Sequence, residues 1–203
     1  MNNLAEYKTD ENDNNWGGSG GAVYLGTHNW DDTNVTWEFN RCIFKGNTAE
    51  GKKSSWTRGG AVAGEGGTLN FINCLFLENR AINNNGMCEE HEDEDGNTWT
   101  SCPGVIGGAL SLGSYYHDSE GNRRGTKSSI VNSTFVRNRL RLESDGGQVF
   151  GAALHLEGQY DTGASSSNNS EIIFFNNIFH DNDLTSDIDN NPDPVDLDIN
   201  YWG

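Results

Sequence analysis

The stretch Arg58–Asn79, RGGAVAGEGGTLNFINCLFLEN, decides the fold. It joins a glycine knot, short apolar runs of strand type and an Asn-Cys-x-Phe-x-x-Asn ending, and each part recurs. The knot GGAV at Gly59–Val62 is repeated as GGAV at Gly20–Val23, GGAL at Gly107–Leu110 and, weakened, GAAL at Gly151–Leu154. The second element reads FNRCIFKGN from Phe39, FINCLFLEN from Phe71, IVNSTFVRN from Ile130 and IFFNNIFHDN from Ile173, with Phe174 able to take the Phe39 place. Knot and second element alternate strictly through the four copies. Self-similarity at a fixed order over tens of residues marks a solenoid, in which equal positions stack.

Stacking gives each column a role. Parallel strands lie about 4.8 Å apart, so Phe44, Phe76, Phe135 and Phe179 form a continuous interior stack. Asn47, Asn79, Asn138 and Asn182 form a second column. Asparagine tolerates the left-handed conformation of tight turns, and its amide can bond to the next copy. After each knot the strand alternates, placing Val23, Val62, Leu110 and Leu154 on the interior face with Leu25, Leu112 and Leu156. The knots themselves are bends where a Cβ would clash. Spacings of 39, 48 and 44 residues between Gly21, Gly60, Gly108 and Ala152 exceed the twenty-odd residues of a minimal three-sided coil. The excess is predicted to leave from fixed corners as loops: GKKSSWTR, INNNGMCEEHEDEDGNTWTSCPG, SYYHDSEGNRRGTK, RLESDGGQ and QYDTGASSSNN.

Composition narrows the class. The hydrophobic fraction is 33%, yet 26 Gly, 9 Phe, 6 Tyr and 6 Trp in short bursts exclude a disordered acidic tail. No amphipathic stretch of helical length occurs, so the chain of 203 residues reads as one all-β domain over 1–203. A net charge of -17 argues against a nucleic-acid partner, which needs clustered Lys and Arg. No apolar run is long enough for a transmembrane segment, and the opening residues lack a signal peptide.

The alternation of GGA[ILV] with F-x-x-N resembles the repeat of chlamydial polymorphic outer-membrane proteins and related right-handed parallel β-helix proteins. The resemblance spans about Gly20–Asn182: the knots at Gly20, Gly59 and Gly107, and the segments Phe44–Asn47, Phe76–Asn79, Phe135–Asn138 and Phe179–Asn182. It implies a right-handed parallel β-helix of about 4–5 rungs with long inserted loops, repeat elements near 20–47, 59–79, 107–138 and 151–182, and incomplete terminal rungs. That group includes adhesins, so the expectation is a cell-surface role. The fourth knot departs as GAAL, and no membrane barrel segment follows.

Chemistry is sought in the loops. Cys88 and Cys102 bracket EEHEDEDGNTWTS, and a disulfide there would restrain the unfolded loop by about 3 kcal/mol in an oxidising compartment. The acids ahead of Gly96 resemble the oxygen-rich start of a calcium loop, with Glu92, Asp93, Asp95 and Asn97 as candidate ligands; the plain alternative is a solvated acidic loop. Cys42 and Cys74 share a column in adjacent copies, near enough for a disulfide or equally two buried thiols. Asp187, Asp189, Asp193, Asp196 and Asp198 in the tail either line a cation site or blunt a final edge strand. His28, His91, His117, His155 and His180 occupy unrelated repeat positions, and no catalytic acid/base constellation stands out. Trp30, Trp56 and Trp99 either stack on sugar rings or pin their own loops. The function expected is an extracellular structural or adhesive module self-associating end to end, with calcium as its one candidate cofactor. The alternatives are a carbohydrate-binding or polysaccharide-degrading β-helix and a fragment of a larger surface adhesin.

Overall fold

The computed structural model describes residues 4–6, 18–26, 35–65, 67–93, 95–113, 115–117, 123–125, 127–144, 146–157, 171–182, 188–191 and 201–202. Every regular element among them is a strand. Five parallel sheets are visited in cyclic order. The first holds Val23–Gly26, Val62–Glu65, Leu110–Gly113, Leu154–Glu157 and Ile188–Asn191, and the second Thr36–Asn40, Thr68–Ile72, Lys127–Val131 and Glu171–Phe175. The third holds Ile43–Lys45, Leu75–Leu77, Thr134–Val136, Ile178–His180 and Tyr201–Trp202. Leu4–Glu6, Thr48–Gly51, Arg80–Asn83 and Arg139–Leu142 make the fourth, and Trp56–Arg58, Gly104–Ile106 and Gln148–Phe150 the fifth. After the fifth the chain re-enters the first, one strand further along, as in a β-solenoid. The coil therefore has more sides than the three expected from sequence, because residues read as loop, such as Trp56–Arg58, pair as a sheet of their own.

The register reproduces the sequence columns. Val23 pairs with Val62, Val62 with Leu110 and Leu110 with Leu154. Phe39, Phe71, Ile130 and Phe174 align, so Phe174 does take the Phe39 place. Phe44 stacks on Phe76 at 4.9 Å, Phe76 on Phe135 at 4.6 Å and Phe135 on Phe179 at 4.7 Å, with planes within 10°. Phe39 and Phe71 stack beside them at 5.1 Å and meet the main stack edge-on. Each such pair adds about 0.5–1.5 kcal/mol beyond the burial of its area. The core is this double stack plus the aliphatic first-sheet column, with Val62, Leu69, Phe71, Phe76, Leu110, Phe135, Leu154 and Phe179 fully buried.

Corners explain which parts of the repeat are invariant in length. The knot corner needs its first glycine at φ between 58° and 65°, and a Cβ on Gly60 would overlap the Gly108 carbonyl and the Arg80 backbone. The corner from second to third sheet is always two residues, as is that from third to fourth. All insertions leave from the other two corners, first-to-second and fourth-to-fifth. Two of these insertions carry antiparallel hairpins, Glu89–Glu92 with Thr98–Ser101 and Tyr115–His117 with Arg123–Gly125.

Candidate functional site

At the third-to-fourth corner the left-handed residue is the one before each asparagine: Gly46, Glu78, Arg137 and Asp181 have φ of 63°, 57°, 51° and 53°. The asparagines themselves are freed to point inward, which corrects the turn role expected for them. Asn79 Nδ2 donates to Asn138 Oδ1 at 3.0 Å and to the Phe44 carbonyl at 2.9 Å, while Asn79 Oδ1 accepts from the Asn47 amide and Asn47 Nδ2. Asn138 repeats this toward Asn182 and Phe76, and Asn182 donates to Phe135. The chain of side-chain amides thus satisfies backbone groups that the corner takes out of the sheets.

The second-to-third corner carries a polar column that sequence reasoning missed as such. Arg41, Asn73, Asn132 and Asn176 are left-handed, and Cys42, Cys74, Ser133 and Asn177 follow them. Ser133 Oγ accepts from the Cys74 amide at 3.1 Å, and Asn177 Oδ1 from the Ser133 amide at 2.8 Å. The available signal was the run of small hydrogen-bonding side chains directly after the left-handed residue.

Cys42 and Cys74 are free thiols, not a disulfide. Parallel stacking aims both side chains alike, and each bonds to a backbone carbonyl instead, Cys74 reaching the second-sheet strand of the preceding copy. Cys74 Sγ donates to Phe39 O at 3.2 Å, and Cys42 Sγ to Asn40 O at 3.6 Å. Burial pushes the Cys74 thiol up, keeping it in the inert form.

The acidic insertion is a disulfide-closed hairpin: Cys88 and Cys102 are bonded across its base, with Cα atoms 4.1 Å apart. Glu89 Oε2 accepts from Ser54 Oγ at 2.7 Å, which ties the hairpin to the corner below. Its tip is organised by Asp93, whose carboxylate accepts from Asn97 Nδ2 and the Asn97 amide, both at 2.8 Å, and from the Asp95 amide at 3.0 Å. Those bonds, with the Asn97 side chain foremost, hold the Asp93 carboxyl below its ordinary value. Gly96, at φ 80°, closes the turn by donating to Asp93 O. Two candidate calcium ligands, Asp93 and Asn97, therefore bond to each other; Glu92 and Asp95 are exposed beside them. Among the described residues no group of three or more His, Cys, Asp or Glu side chains converges.

The remaining candidates disperse. Trp99 is 52% exposed and stacks on His91 at 5.3 Å, while Trp56 lies over Gly104. His155 is buried against Phe150, and His180 is exposed on the third sheet. Trp30, His28, Asp187, Asp193, Asp196 and Asp198 lie outside the described residues. With no helix among the described residues, none is long and apolar enough to cross a membrane.

No protein-family model, curated protein or solved structure matches the chain.

Proposed function

We propose that the chain is a right-handed parallel β-helix of four to five rungs, a single domain over 1–203, acting as a non-catalytic extracellular structural or adhesive module that self-associates through its solenoid ends. One observation carries the self-association. Ala22, Val23, Leu25, Trp37 and Phe39 are only partly buried at the coil's first edge, whereas Ala61, Val62, Leu69 and Phe71 on the next strands are fully buried. A row of half-buried core side chains at the edge of the described sheets is a template for another chain. The Cys88–Cys102 disulfide suits an oxidising compartment, and the resemblance to the polymorphic outer-membrane repeat suits a cell surface. Calcium, if it stiffens the acidic hairpin, uses Glu92 and Asp95 together with whatever Asp93 releases.

Sedimentation across a concentration series, with electron microscopy of the concentrated sample, tests the reading; growth into rods is expected, and a strict monomer throughout overturns it. For calcium, a rise in melting temperature that EDTA reverses is expected, and no shift removes the ion. A carbohydrate-binding role is the second reading, resting on the exposed Trp99–His91 stack. It requires that Trp99→Ala abolish a fluorescence response to added glycan.

A further inference from the structure

Asn132-Ser133-Thr134 has the N-x-[ST] pattern of an N-linked glycan acceptor, which also occurs at Asn34 and Asn168. Asn34 and Asn168 lie outside the described residues, whereas Asn132 stands exposed at the second-to-third corner. It is the left-handed residue of that corner, with φ 52°, in the place of Arg41, Asn73 and Asn176 in the other copies. Of the three asparagines in this column only Asn132 has a hydroxyl two residues on, because Leu75 and Ile178 align with Thr134. Ser133 beside it turns inward and is fully buried. The bond that holds the Asn132 side chain in its column is accepted, not donated: Asn176 Nδ2 donates to Asn132 Oδ1 at 2.6 Å. Asn132 Nδ2, the atom that carries a glycan, donates to no described residue. Attachment there keeps Oδ1 on Asn176, so the corner ladder and a sugar do not compete.

The same corner divides two apolar columns that face outward. Before it run Ile72, Val131 and Phe175; after it run Ile43, Leu75 and Ile178, with Thr134 between the last two. Alternation sends them out, since Phe71, Ile130 and Phe174 before the corner and Phe76, Phe135 and Phe179 after it are buried. Ile43, Ile173, Phe175 and Ile178 are 69%, 54%, 44% and 45% exposed, four of the seven large apolar side chains that the described residues expose. The two-residue corners on either side of the third sheet carry no insertion to fold over them. Apolar surface gathered in adjoining columns marks a site that something covers. We infer that Asn132 carries an N-linked glycan and that this glycan lies over the two columns. This rests on the extracellular reading above, because such acceptors are used in secreted proteins. In the transfer, Nδ2 attacks the anomeric carbon of an oligosaccharide held on a polyisoprenyl pyrophosphate. The nitrogen–carbon bond forms, the bond from that carbon to the pyrophosphate oxygen breaks with its electron pair on oxygen, and an Nδ2 proton passes to the transferase. No electron is exchanged, and the amide keeps one hydrogen.

The test is peptide mapping of the protein from its own source after an N-glycanase has acted in heavy-oxygen water. Conversion of Asn132 to labelled aspartate is expected. Label at Asn34 or Asn168 alone overturns the site and leaves the extracellular reading standing, as does no label on a chain whose Cys88–Cys102 disulfide is formed. No label together with free Cys88 and Cys102 thiols overturns both. For the cover, binding of a dye that fluoresces on apolar surface is expected to rise when the glycan is removed from the folded protein. The same rise is expected for Thr134→Gln, which removes the acceptor pattern and leaves Asn132 and its bond to Asn176. Thr134→Ser keeps the pattern and should match the unsubstituted protein. Should Thr134→Gln fail to fold, enzymatic removal of the glycan decides; equal dye binding with and without it overturns the cover.

Discussion

Replacing Asn79 by alanine tests whether the corner amides hold the coil together. The Asn79 side chain is fully buried and makes four hydrogen bonds: two donated, to Phe44 O and Asn138 Oδ1, and two accepted, from the Asn47 amide and Asn47 Nδ2. Each is worth about 1 kcal/mol net, but the change also leaves the Asn47 amide and Phe44 carbonyl short of a partner away from water. An orphaned buried group costs about 1–3 kcal/mol, so Asn79→Ala should lose about 3–5 kcal/mol. That is a large share of the 5–15 kcal/mol that holds an ordinary domain. Asn182→Ala is the control. Asn182 makes the same kind of bonds to Asn138 and Phe135 but is only half-buried, so water replaces much of what is lost. Its cost should be about 1–2 kcal/mol. Urea unfolding followed by tryptophan fluorescence gives both values, and hydrogen exchange at the Asn47 and Asn138 amides shows whether the loss is local. A cost for Asn79→Ala below 1 kcal/mol, or no greater than for Asn182→Ala, refutes the assignment of corner stability to the amide column.

Phe76→Leu keeps most of the volume and loses two stacked contacts, and urea midpoints should report a loss of about 1–3 kcal/mol; Phe76→Ala adds a cavity and should cost about 3–5 kcal/mol. Asp93 should titrate by carboxyl-carbon NMR below its ordinary value, and Asn97→Ala should move it back up. Because its folded-state value is lowered, the bonds at the hairpin tip are present above the ordinary carboxylate range near 4 and lost as pH falls through the lowered value. Cys88→Ala with Cys102→Ala should strip hydrogen-exchange protection from Glu89–Ser101 while Arg80–Asn83 and Gly104–Ile106 keep theirs, since the coil's parallel pairing does not pass through the hairpin.

Legibility followed repetition. Phe44, Phe76, Phe135 and Phe179 were visible because stacking demands the same bulky ring in every copy, and the structure puts those rings within 5 Å of one another. The turn beside them was read one residue late, because its left-handed position holds Gly46, Glu78, Arg137 and Asp181, four residue types with no common signature. The fifth sheet was invisible for a related reason. WTR, GVI and QVF share only an inward middle residue (Thr57, Val105, Val149) and float among insertions of unequal length. In the acidic hairpin the cysteine pair was legible from its spacing. The engagement of Asp93 with Asn97 was not, because a run of six acids in seven residues does not say which carboxylate caps the turn.

The same geometry says where this scaffold can vary. Two of its five corners are sealed by side chains that bond from strand to strand, the Asn47 column and the Cys42–Asn177 column, and a third by glycines packed against the neighbouring backbone. An inserted residue at any of these would break a ladder on both sides at once, so each keeps its length in every copy. The first-to-second and fourth-to-fifth corners have no such column, and chain can leave and return there without disturbing the strands. That is why every hairpin emerges from those two sides, and why the exposed Trp99–His91 stack and the acidic tip stand on one of them. Recognition built on those two sides can change by substitution while the columns that hold the coil stay intact.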